Sequence, residues 1–177
     1  IYGPFNPVYG FGAVVLTVGL QQLARKRDMW VFLGSMVLGG GVEYLCSWTQ
    51  EMAFGTVSWE YSKTPFNLQG RTNLMFAFCW GILGLLWVRE FYPRMSDWIE
   101  RIPQRVGIPL TWVLLVLMLA NMGISALAVA RWTDRVHGVP PQNSVDVFLD
   151  ETYPNDRMSR VYPNMMVVED ENGNRII

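Results

Sequence analysis

Four long stretches without charge govern what this chain can fold into. Residues 1–24 carry no charged side chain, 29–50 carry Glu43 alone, 72–88 carry none, and 106–130 carry none over 25 residues. A bilayer core about 30 Å thick is crossed by roughly 20 apolar residues of helix. The fourth stretch, PLTWVLLVLMLANMGISALAVA, meets that length by itself. The other three are shorter or more broken, and any one alone would suit a buried helix of a water-soluble domain. Their succession within 177 residues predicts an all-α, polytopic transmembrane helix bundle of four spans over residues 1–132. Composition excludes two other classes. A chain with 14% aromatic and only 16% charged residues is not disordered. The 14 Lys+Arg set against 15 Asp+Glu leave no basic excess for a nucleic acid.

The basic residues set the expected topology. Arg25, Lys26 and Arg27 lie between spans one and two, and Arg89, Arg94, Arg101 and Arg105 between spans three and four. Only Lys63 and Arg71 lie between spans two and three. The positive-inside rule then places residues 25–28 and 89–109 in the cytoplasm, and residues 51–70 and the C-terminal tail outside. Trp30, Trp87 and Trp112 fall at the inner interface and Trp48 and Trp132 at the outer one, where amphipathic indoles are favoured.

The first stretch opens without Met and packs Gly3, Pro4, Pro7, Gly10 and Gly12 into twelve residues. Such punctuation suits a turn or a broken helix start, with regular helix from near Tyr9 to Ala24. No basic segment precedes it, so a secretory signal peptide fits poorly. The expectation is a further span upstream of this chain.

From Arg131 onward five Lys/Arg face eight Asp/Glu, and no apolar run reaches span length. Residues 133–177 are expected to form an extracytoplasmic cap or tail with short helices. One would be capped by Asn143 or Ser144 and carry Val145, Phe148 and Leu149 on one side. A second would run from Asp156 to Val161, stopping before Tyr162-Pro163 because a residue preceding proline avoids the helical region. Val167-Val168 reads as strand and Asn172-Gly173 as a turn.

The segment from Glu43 to Arg71 carries the chemistry. Glu43 follows Gly39-Gly40-Gly41 inside an apolar span, and an ionisable group at that depth turns toward protein and a partner. Glu43, Ser47 and Gln50 share one helix face, with Glu51 at its edge. The glycines admit a neighbouring helix closely. Gly55 ends the helix. Beyond it, Trp59-Glu60-Tyr61-Ser62 and Phe66-Asn67 alternate aromatic and polar groups, as suits a re-entrant or interfacial segment between spans two and three. Arg71 opens the next span as the natural counter-ion of Glu43, Glu51 or Glu60. Two readings stand side by side. One is a binding or catalytic site at the outer leaflet, and the other an ion pair and hydrogen-bond net that braces the loop.

Other chemistry finds little footing. Cys46 and Cys79 sit in different spans and read as small buried hydrophobes rather than a disulfide. A single histidine, His137, leaves zinc without ligands. GxxxxGK[ST] and GxSxG are both missing from the sequence. Neither a metal nor a cofactor is expected.

The string Tyr2-Gly-Pro-Phe-Asn-Pro-Val-Tyr-Gly-Phe-Gly-Ala13, then Glu43-Tyr44, Ser47, Glu51, Phe54-Gly55, Trp59-Glu60-Tyr61-Ser62, Phe66-Asn67, Gly70-Arg71, Trp80-Gly81 and Leu83-Gly84 resembles the CmpB-type family of ABC-transporter permeases, small multi-span bacterial membrane proteins. The likeness runs from Ile1 to Leu86. Members usually carry Asp where this chain has Glu60, and begin with a further span ending before the Gly-Pro motif. The resemblance implies a transport component of the bacterial inner membrane. A separate ATPase subunit would then dock on its cytoplasmic loops. Residues 89–109, with Trp98 and Ile102, could serve that docking, though an amphipathic helix on anionic lipid is the favoured reading.

Three functions follow as expectations. The first is substrate binding in an outward-facing polar pocket built from Glu43, Ser47, Glu51, Trp59, Glu60, Tyr61, Asn67 and Arg71. The second is a membrane-embedded enzyme acting on a lipid or lipid-linked group, with Glu43 or Glu51 as acid or base. The third is a structural or assembly factor braced by the same residues.

Overall fold

The computed structural model describes residues 7–169. The motif residues Tyr2–Asn6 and the turn expected at Asn172-Gly173 lie outside the described residues. Helices dominate: α1 (Pro7–Gly19), α2 (Asp28–Phe54), α3 (Leu74–Leu86), α4 (Tyr92–Glu100), α5 (Gln104–Val136), α6 (Ser144–Thr152) and α7 (Asn155–Val161). Four two-residue strands accompany them: β1 (Thr56–Val57), β2 (Asn67–Leu68), β3 (Thr72–Asn73) and β4 (Met166–Val167). A wide π-helical turn, Trp87–Phe91, joins α3 to α4. Pro93 accounts for it, since in a regular helix its ring would clash with the Arg89 carbonyl four residues back.

Among the described residues, three helical stretches are long and apolar enough to cross a membrane: Asp28–Phe54, Leu74–Glu100 and Gln104–Val136. At 1.5 Å per residue α2 extends about 40 Å, whereas the 13 residues of α1 extend about 20 Å. α1 ends at Gly19, five residues before the expected Ala24. A Cβ at Gly19 would lie 2.7 Å from Leu38 Cδ1, and the chain turns there to reach α2. The exposed surface is that of a membrane protein: Val106, Trp112, Val116 and Leu117 on α5 are all more than half exposed, an apolar face that water would not tolerate.

The residues divide into two compact units. Among the described residues, one comprises 7–46 together with Tyr61–Leu115, and the other Ser47–Glu60 together with 116–169.

In the first unit, glycines bring α2 and α3 into contact. A Cβ on Gly84 would fall 2.1 Å from Ser35 Oγ, and one on Gly39 would fall 2.4 Å from Trp80 Cγ. Of the expected glycine triplet, Gly39 and Gly40 face α3, while Gly41 meets nothing within 4 Å. Cys79 is exposed on α3, a correction to the buried role expected for it, because the α3 face that packs is the one carrying Gly81 and Gly84. The turn before α2 is held from the π-helical turn. Arg89 donates to the carbonyls of Ala24 and Lys26 and to Asp28 Oδ1, the last from Nε at 3.0 Å.

In the second unit, Gly55 stops α2 with φ +61°, as expected of it. The chain then pairs β1 with β4 in antiparallel register, Thr56 opposite Val167. Ala128, Val129 and Trp132 of α5 form a core with Leu149, Tyr153 and Met158. Asn143 caps α6, its Oδ1 accepting from the amides of Val145 and Asp146. Of the face expected on α6, Leu149 alone is buried, and Val145 and Phe148 are more than half exposed. α7 starts one residue before its expected Asp156. Arg131, 3% exposed, forks onto Asp150 with both bonds at 2.9 Å, and Arg135 grips the same carboxylate.

Candidate functional site at Glu43

The residues singled out in the sequence fall in both units. Glu43, Tyr61, Asn67 and Arg71 belong to the first, and Ser47, Glu51, Trp59 and Glu60 to the second. Each set has its own geometry.

In the first unit Glu43 is 8% exposed. Its Oε2 accepts from the Thr72 hydroxyl at 2.7 Å and its Oε1 from the Tyr61 hydroxyl at 3.1 Å, and the Trp80 indole also donates to it. Of Glu43, Glu51 and Glu60, the carboxylates for which Arg71 is the expected counter-ion, Glu43 is held by neutral donors. The Arg71 guanidinium lies 5.8 Å from the centroid of the Tyr44 ring, within cation–π range.

The loop after β1 is folded to deliver Tyr61. Its amide donates to the Gly70 carbonyl, and its own carbonyl accepts from both the amide and the hydroxyl of Thr64. Its ring stacks on Phe76 at 4.7 Å between centroids. Burial, and after it the Glu43 carboxylate, pushes the Tyr61 phenol above its ordinary value, so it remains a donor. Asn67 braces the loop. Its Nδ2 donates to the carbonyls of Ser62 and Thr64, and its Oδ1 accepts from the Gly70 amide. β2 and β3 pair antiparallel, Leu68 opposite Thr72, around Gln69 and Gly70 at φ +53° and +69°. That turn fixes Thr72 beneath Glu43, and Asn73 then caps α3 by accepting from the Phe76 amide.

In the second unit Ser47 is 1% exposed, and Glu51, Trp59 and Glu60 are half-buried. Gln50 ties the end of α2 to β1 and the residue beyond it. Its Nε2 donates to Thr56 Oγ1 at 3.2 Å, and its Oε1 accepts from Ser58 at 2.9 Å.

Sequence reasoning missed Thr72 and Trp80 as partners of Glu43. Both follow Arg71 at the start of an apolar run, and only the hairpin register brings Thr72 to the carboxylate. Clefts among the described residues lie elsewhere. One of about 330 Å³ is lined by Arg135, Asp150 and Asn155, and one of about 290 Å³ lies between α1 and α4. Among the described residues, no group of three or more His, Cys, Asp or Glu side chains could hold a metal ion.

Long apolar helices with a buried carboxylate among hydroxyl donors define a polytopic helical membrane protein. The chain belongs to the family described as Putative ABC-transporter type IV, whose model matches residues 1–126. It is thus a membrane-embedded, transport-related protein, as the motif string from Tyr2 to Gly84 implied. Neither a curated protein nor a solved structure matches it.

Proposed function

We propose that this protein recognises a polar solute through Glu43 and the loop that follows α2. Glu43 itself carries the reading. A carboxyl group 8% exposed within an apolar helix has neutral donors for partners, the Thr72 and Tyr61 hydroxyls and the Trp80 indole. A carboxylate accepts up to about four hydrogen bonds, and a cationic or donor-rich solute suits the remaining capacity. Tyr61 and Arg71 belong to the proposed site, while Asn67, committed to backbone, shapes the loop. Ser47, Glu51, Trp59 and Glu60 join the proposal from their place in the motif string.

The wider arrangement is part of the same proposal. α1 is the first of four spans, and the segment between α2 and α3 re-enters the outer leaflet. Residues 51–70 lie outside, and residues 133–177 cap that face. Residues 25–28 and 89–109 lie on the cytoplasmic side, α4 against the bilayer surface, and a separate ATPase subunit docks on that side.

The test is a thermal-shift screen of the purified protein in detergent against cationic, zwitterionic and anionic solutes. A cationic or zwitterionic solute should raise the melting temperature of the wild-type chain. Glu43→Gln should abolish that rise while the unliganded protein still folds and melts cooperatively. A solute rise that persists in Glu43→Gln, or a Glu43→Gln protein that no longer folds, overturns the reading in favour of a bracing role.

A further inference from the structure

A cleft opens between α1 and α4. Its volume is about 290 Å³, roughly twice an apolar cavity of about 150 Å³ that accepts benzene. Val14 and Val18 of α1 form one wall, Tyr92, Met95 and Ile99 of α4 the other, and Trp87 lies beside them. Three of the polar groups at its edge are already engaged. The Trp87 indole donates to Thr17 Oγ1 at 2.8 Å, the Thr17 hydroxyl donates to the Ala13 carbonyl, and the Ser96 hydroxyl donates to Glu100. The walls therefore ask for hydrocarbon.

Charge identifies what the hydrocarbon is attached to. The turn after α1 exposes Arg25, Lys26 and Arg27. Arg89, two residues from Trp87, fastens that turn beside the cleft through the carbonyls of Ala24 and Lys26. Residues 25–28 and 89–105 together hold seven Lys/Arg against four Asp/Glu. We propose that this cleft is a binding site for an anionic phospholipid, one acyl chain lying between α1 and α4 and the headgroup phosphate facing Arg25–Arg27. The proposal rests on membrane embedding and is independent of the solute reading at Glu43.

The experiment reconstitutes the full chain in phosphatidylcholine nanodiscs. Each holds the same minor fraction of either phosphatidylglycerol or phosphatidylcholine bearing a mid-chain diazirine, and labelled peptides are mapped after illumination. Phosphatidylglycerol should label α1 and α4 several-fold more than phosphatidylcholine, with α5 labelled equally by both. Val14→Trp or Ser96→Phe, which fill the cleft, should lower the α1 and α4 labelling several-fold and leave α5 unchanged. Replacing Arg25, Lys26 and Arg27 by Gln should remove that several-fold headgroup preference. These three are exposed, so that variant decides the question even where a filled cleft fails to fold. Equal labelling by the two lipids, or labelling indifferent to the Gln variant, overturns the proposal.

Discussion

The hydroxyl of Thr72 donates to Oε2 of Glu43 at 2.7 Å, across 29 positions of sequence. It joins the first residue of β3 to the middle of α2. The bond exists because the hairpin at Gln69-Gly70 turns the chain back with Leu68 opposite Thr72.

Thr72→Val should therefore destabilise the protein. It keeps the shape and removes a donor from a buried carboxylate, and hydrogen bonds to charged groups contribute about 1.5–3 kcal/mol. Thr72→Ser keeps the hydroxyl and should lose much less. Unfolding in detergent, followed by circular dichroism, checks both. Coincident melting of Thr72→Val and wild type would show that the bond contributes nothing.

The contact of α2 with α3 at Gly84 allows a sharper test. A Cβ there would lie 2.1 Å from Ser35 Oγ and 2.4 Å from Ser35 Cβ. Gly84→Ala should cost about 1–3 kcal/mol by overpacking. Ser35→Gly, which removes the clashing atoms, should restore most of it. Gly41→Ala, with nothing within 4 Å, should be close to neutral. The same melting series reads all four proteins, and a Gly84→Ala protein as stable as wild type would contradict the packing.

How much of this was legible beforehand depended on the range of the signal. Membrane helices were legible because a charge-free run is a local property, and Gly55 stopped α2 because a positive φ favours glycine. The end of α1 was not, since Gly19 is set by its approach to Leu38 on another helix. Glu43 stood out as a carboxylate in an apolar run. Its partners Thr72 and Trp80 did not, because hairpin register and helix packing lie outside local pattern. The clamp of Arg131 and Arg135 on Asp150 was equally hidden. A buried arginine and an exposed one look alike in sequence.

That clamp predicts a pH dependence. The hydrogen bonds from Arg131, and then from Arg135, hold the Asp150 carboxyl below its ordinary value. A carboxyl whose folded value is depressed contributes stability above its unfolded value, about 3.9, and loses it as pH falls through the folded value. Attachment of α6 to the end of α5 should accordingly weaken only in strong acid. Asp150→Asn should weaken it at neutral pH and flatten the acid dependence. Limited proteolysis across residues 137–145, run as a pH series, measures both effects. A neutral-pH cleavage rate unchanged in Asp150→Asn would remove the clamp from the account.

Arg89 supplies the last expectation. Its guanidinium reaches two carbonyls and one carboxylate at once, a fork that an ammonium cannot reproduce. Arg89→Lys should therefore release the turn over residues 20–27 even though the charge is kept. Asp28 is largely exposed, so the ion pair adds little of its own, and global melting should barely move. Hydrogen exchange distinguishes the two contributions. In Arg89→Lys the amides of residues 20–27 should exchange markedly faster while those of α3 keep their protection. Asp28→Asn, which retains the carbonyl contacts, should stay near wild type in both regions. Equal acceleration in the two variants would mean that charge, and not the fork onto the carbonyls, holds the turn.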